Sequence, residues 1–234
     1  MEINIWAIYF LFLMGIVVPI GAIRSNQRLK RGQFPSRRVF FRQLIGVQMV
    51  LLAMSVFVAL TNHIVLFPRP TLRLKDVFAG AIFLALGIGR LLLRWRFGSG
   101  KISEERRQRL KHLVPGSFKE KWLWLALCLM AAIAEEVGYR GVMFTLFMRI
   151  GGDWWIATTI SALLFALGHM VQGWKSASSI FLFAFGFHIL VLISGTLYPA
   201  MVVHFLYDIT AGVILGSLGK SINETKAIRD LTTA

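Results

Sequence analysis

Four long stretches of this chain contain no Lys, Arg, Asp or Glu, and they limit what the chain can fold into. Each is 21 to 24 residues long, and they cover residues 3–23, 44–67, 154–174 and 176–197. A helix needs about 20 apolar residues to cross the hydrocarbon core of a bilayer, where the backbone must satisfy its own hydrogen bonds. We therefore predict membrane-spanning helices.

Three further apolar runs bring the predicted spans to seven. Residues 77–93 are interrupted only by Arg90, whereas residues 122–148 and 199–219 are long apolar runs that contain charges. The sequence thus predicts an all-α, polytopic membrane bundle of about seven transmembrane helices, with residues 1–234 as a single integral membrane domain. Because the break at Tyr198 and Pro199 is so brief, a re-entrant hairpin is the alternative for the last two spans.

The formal net charge of +15 is distributed in a way that predicts orientation. Residues 24–42 contain seven Lys and Arg and no acid, and residues 94–121 contain nine against three Glu. Basic residues collect in cytoplasmic loops, so we predict a cell-membrane protein with its N-terminus outside and its C-terminus in the cytoplasm. No nucleic-acid-binding module is visible in the sequence, and the predicted partner of these loops is the lipid surface, with an amphipathic helix at 103–110.

A small set of ionisable and imidazole side chains lies inside the last four predicted spans. Such groups cost several kcal/mol in a bilayer unless they are paired or line a wet cavity, so their presence indicates a site. The set comprises Glu135, Glu136, Arg140, His169, His188, His204 and Asp208. His188 has no motif around it and is interpreted as a packing residue.

Helical spacing groups most of these residues. Glu136 and Arg140 are four residues apart and can pair on one helix face, which leaves Glu135, rotated by about 100°, available for another role. His204 and Asp208 are also four apart and can face the same cavity.

A carboxylate and an imidazole that converge on one water are the components of a general-base hydrolase, and a second pair opposite them can stabilise an oxyanion. A nucleophilic Ser or Cys is less well supported, because Ser161 is eight residues from His169 and Cys128 has no base nearby in sequence. Direct attack by water is therefore the predicted chemistry.

The three motifs resemble those of the CAAX-protease and bacteriocin-processing family of intramembrane proteases, which includes the Ras-converting prenyl-protein endoprotease. The family pattern is Glu-Glu-x-x-x-Arg, then Phe-x-x-x-His, then His-x-x-x-Asn or Asp. The chain has this pattern in order at Glu135 to Arg140, Phe165 to His169 and His204 to Asp208. The resemblance covers about residues 122–219, the predicted protease-like core.

This resemblance implies roles for the motif residues. Glu135 and His169 would activate water, Glu136 and Arg140 would support the site, and His204 with Asp208 would form the oxyanion side. Some family members carry Asn at the last position, and an ionised Asp208 cannot donate a hydrogen bond as an Asn amide can. Its alternative roles are to donate when protonated, to orient His204 or to help bind a metal.

Metal dependence is a separate question, because family members have been described both as metalloproteases and as glutamate-type proteases. The sequence has no His-Glu-x-x-His motif, and we predict a site without a cofactor. Zinc is the alternative, with Glu135, His169 and His204 as its ligands.

The predicted function is endoproteolysis of a membrane-associated or lipidated protein or peptide. A scaffold or regulator that keeps the fold without the chemistry is the alternative. A proton-coupled transporter is a third possibility, but the polar groups cluster in one half of the chain and no inverted repeat is present.

Overall fold

The computed structural model describes residues 3–33, 35–68, 73–98 and 112–232, and the regular structure within them is helical. The amphipathic helix predicted at 103–110 lies outside the described residues. The helices are α1 (Ile5–Phe12), α2 (Val18–Lys30), α3 (Arg37–Thr61), α4 (Leu74–Gly98), α5 (Phe118–Glu135), α6 (Phe144–Gly151), α7 (Trp154–Gly168), α8 (Trp174–Ser194) and α9 (Tyr198–Thr232).

Two π-helical segments join pairs of these helices into longer rods. Leu13–Val17 joins α1 to α2, and Glu136–Met143, called here the π segment, joins α5 to α6. The second rod, Phe118–Gly151, begins with a capping box in which Ser117 and Glu120 satisfy each other's backbone amides. Single π turns inside α-helices are rare and often occur at functional sites.

Six helical stretches in the described residues are long and apolar enough to span a membrane. These stretches are Ile5–Lys30, Arg37–Thr61, Leu74–Leu93, Phe118–Gly151, Trp174–Ser194 and Tyr198–Gly216. The all-α membrane bundle predicted from the sequence is confirmed. The seventh apolar helix, Trp154–Gly168, has 15 residues and is therefore about 22 Å long, shorter than the roughly 30 Å hydrocarbon core.

Two predicted spans end earlier than their apolar runs. Helix α3 ends at Thr61 rather than at residue 67, because Asn62 bonds back to the Val58 carbonyl and His63 takes the left-handed backbone conformation (φ 52°). Helix α7 ends at Gly168 rather than at residue 174. A 3-10 turn, Met170–Gln172, follows it, and Gly173 (φ 87°) turns the chain into α8.

Contacts between chain segments identify which loops share an end of the bundle. At one end, Nε of Arg37 at the start of α3 lies 3.3 Å from Oε2 of Glu120 at the start of α5. At the opposite end, Nη1 of Arg149 donates to the Asn62 carbonyl at 2.7 Å, and Asn62 also bonds to Asn4. The described parts of the two basic loops, 24–42 and 94–121, therefore lie at the same end.

Glycines allow two of the helices that surround the site to approach closely. A Cβ added at Gly87 of α4 would lie 2.5 Å from the Phe183 ring of α8, and one at Gly186 of α8 would collide with the Phe83 ring of α4. Phe83 and Phe183 stack with ring centroids 4.8 Å apart. Small residues at such crossings let membrane helices pack by van der Waals contact.

Candidate active site

The side chains of the three motifs meet in the interior of the bundle. Glu135 ends α5, Glu136 and Arg140 belong to the π segment, His169 follows α7, and His204 and Asp208 lie on α9. Three separate segments of the chain therefore contribute to one polar cluster, which we call the Glu–His cluster.

Glu135 stands at the centre of the Glu–His cluster. Its Oε2 atom lies 3.7 Å from Nε2 of His169 and 3.8 Å from Nε2 of His204. Within the described residues this buried oxygen accepts no hydrogen bond, whereas Oε1 accepts one from Nε2 of Gln48 at 2.6 Å. One oxygen of the carboxylate is thus held by the protein, and the other faces two imidazoles.

His169 presents one ring nitrogen to Glu135 and uses the other to anchor itself. Nδ1 lies 2.8 Å from the Phe165 carbonyl oxygen. Because a carbonyl can only accept, Nδ1 carries the proton, and in the neutral ring Nε2 is an acceptor. The His169 side chain is also the more open of the two imidazoles, with 23% of its surface exposed against 7% for His204.

Glu136 and Arg140 form the buried ion pair that their spacing predicts, although the backbone here is π-helical. Nη1 of Arg140 lies 3.2 Å from Oε1 of Glu136, and neither side chain is exposed to solvent. Nη2 of Arg140 donates to the Ala184 carbonyl at 3.3 Å, and its guanidinium carbon lies 4.3 Å from the Phe165 ring centroid. Arg140 therefore pairs with Glu136 inside the π segment and ties that segment to α8 by a hydrogen bond and to α7 by a cation–π contact.

His204 is surrounded by carboxylates. Its Nδ1 atom lies 2.8 Å from Oε1 of Glu136, and its Nε2 atom lies 3.6 Å from Oδ2 of Asp208 as well as 3.8 Å from Glu135. The contact with Glu136 was not anticipated from the sequence. Because a carboxylate accepts, Nδ1 of His204 is the donor and the ring is oriented with Nε2 towards Glu135 and Asp208.

The remaining candidates lie outside the Glu–His cluster or serve structural contacts. The Ser161 hydroxyl is buried and donates to the Tyr139 carbonyl at 3.0 Å, so it supports the π segment. Cys128 is buried at 3% exposure. His188 is buried against the Phe144 ring, with centroids 5.3 Å apart, which is consistent with its interpretation as a packing residue.

Sequence reasoning missed Gln48, which comes from α3. Its amide carries no charge, so an argument from ionisable groups inside the spans does not include it. A polar side chain that is uncharged but lies within a 24-residue run without charges was the available signal.

In a comparison with known proteins, the segment that carries the Glu–His cluster matches a protein family. Residues 117–210 match the family described as "Type II CAAX prenyl endopeptidase Rce1-like". The match begins at Ser117, the N-cap of α5, and includes Glu135, Glu136, Arg140, His169, His204 and Asp208 but not Gln48. It covers less than half of the chain. No curated protein and no solved structure matches the chain significantly.

Proposed function

We propose that this chain is a membrane protease in which Glu135 and His169 activate a water for peptide-bond hydrolysis within the membrane, and the match of residues 117–210 to the Rce1-like family of type II CAAX prenyl endopeptidases supports this proposal. The family indicates a membrane protease of the CAAX endopeptidase kind. The observation that carries the proposed mechanism is the position of the Glu135 Oε2 atom, 3.7 Å and 3.8 Å from two imidazole nitrogens.

Water activation follows from the acceptors in the Glu–His cluster. Oε2 of Glu135 and Nε2 of His169 can each accept one hydrogen of the same water, because Nδ1 of His169 is committed to the Phe165 carbonyl. Such a water presents its oxygen lone pair to a carbonyl carbon. Proton transfer by a positioned base contributes typically 10²- to 10⁴-fold to the rate.

The proton that the attacking water loses is taken up by Glu135 and later returned to the leaving group. The water oxygen bonds to the scissile carbonyl carbon, and its proton passes to the Glu135 carboxylate. The C–N bond breaks as the tetrahedral oxyanion collapses, and the proton held by Glu135 passes to the leaving amine nitrogen. Glu135 returns to the carboxylate form, and water is the only co-reactant.

His204 is the proposed oxyanion stabiliser. With Nδ1–H donated to Glu136, a proton on Nε2 makes the ring a cationic donor directed into the Glu–His cluster. Three carboxylates around the ring, those of Glu135, Glu136 and Asp208, can balance that charge. A preorganised charged donor of this kind lowers the energy of the developing oxyanion.

We propose that this chemistry proceeds without a metal ion. The described residues contain no group of three or more His, Cys, Asp or Glu side chains arranged to hold one, which supports this proposal over the zinc alternative at Glu135, His169 and His204. Full activity of the purified protein after dialysis against a chelator is the expected result. Loss of activity, with recovery on adding Zn²⁺, would contradict the metal-free mechanism.

The proposed substrate is a peptide or protein held at the membrane, since every residue of the Glu–His cluster except His169 lies on a helical stretch of spanning length. The proposed location is the cell membrane, with the N-terminus outside. The two basic loops at one end of the bundle support this orientation.

Hydrolysis can be tested with a quenched fluorescent peptide that ends in a CAAX sequence and is presented to purified protein in liposomes. The peptide is used in two forms, farnesylated and unprenylated. We expect cleavage by the wild type, and a loss of at least about 10²-fold in the Glu135→Gln and His169→Ala variants. Gln43→Leu, a change at an exposed position of α3, is the matched control.

Retained cleavage in both site variants would exclude the mechanism. If the wild type leaves both the farnesylated and the unprenylated peptide intact, the result would favour the scaffold alternative for these substrates. Cleavage of the unprenylated peptide alone would support the endopeptidase activity but exclude recognition of the farnesyl group.

A further inference from the structure

We propose that Gln48 of α3 is a positioning residue of the Glu–His cluster, which holds one oxygen of Glu135 so that the other faces His169 and His204. Nε2 of Gln48 donates to Oε1 of Glu135 at 2.6 Å, and both side chains are buried. The inference rests on the proposed function, because it assigns Gln48 a role in preparing the proposed base. Gln48 lies outside the segment 117–210 that matches the family.

The packing of α3 explains why Gln48 reaches this place. Gln48, Leu51, Ser55 and Val58 are buried at helical spacing and form one face of α3. Further along the same face, a Cβ added at Gly138 of the π segment would lie 3.2 Å from Oγ of Ser55. This close approach fixes the distance between α3 and the rod that contains Glu135, and it places the amide within hydrogen-bond reach.

Charge determines which way the amide is turned. An ionised carboxylate only accepts, so the Gln48 NH₂ group faces Oε1, whereas the opposite orientation would place two acceptors together. A hydrogen bond to a buried carboxylate is short and strong in comparison with one between neutral groups. The contact therefore restrains rotation of the Glu135 carboxylate.

The same contact distinguishes two adjacent glutamates. Glu136 is paired with the guanidinium of Arg140, which neutralises it, whereas Glu135 is held by an uncharged amide. A cation at position 48 would also orient Glu135, but it would weaken the carboxylate as a base. An amide provides orientation without neutralisation, which suits a residue that must accept a proton.

The first test is Gln48→Leu, which removes the donor and keeps a side chain of similar size. With the peptide assay described above, we expect kcat to fall about 10- to 100-fold, as is typical when a supporting hydrogen bond of a site is lost, and KM to change little. Gln43→Leu makes the same change at an exposed position of the same helix and should leave both parameters unchanged. A wild-type kcat in Gln48→Leu would overturn the inference.

The second test, Gln48→Glu, covers the case in which Gln48→Leu fails to fold. Two carboxylates so close together share one proton, and the protonated partner can donate to Glu135 as the amide does. We expect this variant to retain activity at neutral pH and to lose it at alkaline pH, where the shared proton leaves and the wild type remains active. A pH–rate profile that superimposes on that of the wild type would contradict a positioning role.

Failure of this inference can be told apart from failure of the proposed function. If Glu135→Gln abolishes cleavage while Gln48→Leu does not affect it, only the role of Gln48 is wrong. If the wild type cleaves neither peptide, thermal melting of Gln48→Leu, Glu135→Leu and the double variant still tests the contact. The two shifts in melting temperature should not add, and additive shifts would exclude the coupling.

Discussion

Nδ1 of His204 lies 2.8 Å from Oε1 of Glu136, the same oxygen that lies 3.2 Å from Nη1 of Arg140. This one buried carboxylate oxygen therefore joins α9 to the π segment. It also balances the charge of Arg140, the only Lys or Arg in the Glu–His cluster. Breaking a buried ion pair by removal of one partner is costly because the other charge stays buried and unpaired.

Glu136→Gln should consequently lower stability as well as activity. Arg140 would lose its counter-charge while remaining fully buried, and we expect a loss of about 3–5 kcal/mol in the free energy of unfolding. Thermal or denaturant unfolding of the purified protein in detergent measures this change.

Glu135→Gln is the control for that experiment. Its hydrogen-bond partner Gln48 is neutral, and Glu136 and Asp208 still balance a charge on His204, so a stability change within about 1 kcal/mol is expected together with lost cleavage. Equal destabilisation by the two variants would contradict the division of roles between the adjacent glutamates.

Asp208 offers a test of the oxyanion side. Its Oδ2 atom lies 3.6 Å from Nε2 of His204, and an Asn there could accept from that nitrogen and donate its NH₂ group to the oxyanion. We expect Asp208→Asn to retain activity within about 10-fold and Asp208→Ala to lose about 10²-fold or more in kcat. An inactive Asp208→Asn would instead indicate that the negative charge on residue 208 is required to balance His204.

Much of the Glu–His cluster could be predicted because its spacing is local. Residues four apart on a helix are neighbours, so the Glu136–Arg140 and His204–Asp208 pairs follow from the chain itself, and apolar runs locate the helices that carry them. The pairs found in the structure agree with these expectations, although the π-helical backbone around Glu136 was not foreseen.

The contacts that sequence could not supply are those between distant helices. Gln48 and Glu135 are 87 residues apart, and Glu136 and His204 are 68 apart. These contacts depend on which faces of α3, α5 and α9 meet. Where a span is apolar all round, helical periodicity does not show which face is turned towards the other helices. The early end of α7 was missed for a different, local reason: Nδ1 of His169 bonds to the Phe165 carbonyl of the helix's own last turn, which an apolar run does not reveal.

Because α4 and α8 cross closely, we expect a larger side chain at Gly87 to lower the stability of the protein. An added Cβ there would lie 2.5 Å from the Phe183 ring and 3.2 Å from Tyr207, and Phe183 is already stacked on Phe83. We expect Gly87→Ala to cost about 1–3 kcal/mol through overpacking. Gly89→Ala on the same helix meets nothing within 4 Å and should be neutral or slightly stabilising in the same unfolding measurement.

The orientation of the bundle gives the last prediction, and single cysteines can test it. Gln33 lies in the basic loop near Arg37, whereas Gly151 ends α6 next to Arg149 at the opposite end, and both are exposed. A membrane-impermeant maleimide should label Gly151→Cys in intact cells and Gln33→Cys only after permeabilisation, because basic loops face the cytoplasm.

The parent protein is the control for this labelling, since Cys128 is its only cysteine and is buried. Labelling of Gln33→Cys alone in intact cells would reverse the proposed topology. Labelling of both in intact cells would contradict the placement of the two positions at opposite ends of a spanning bundle.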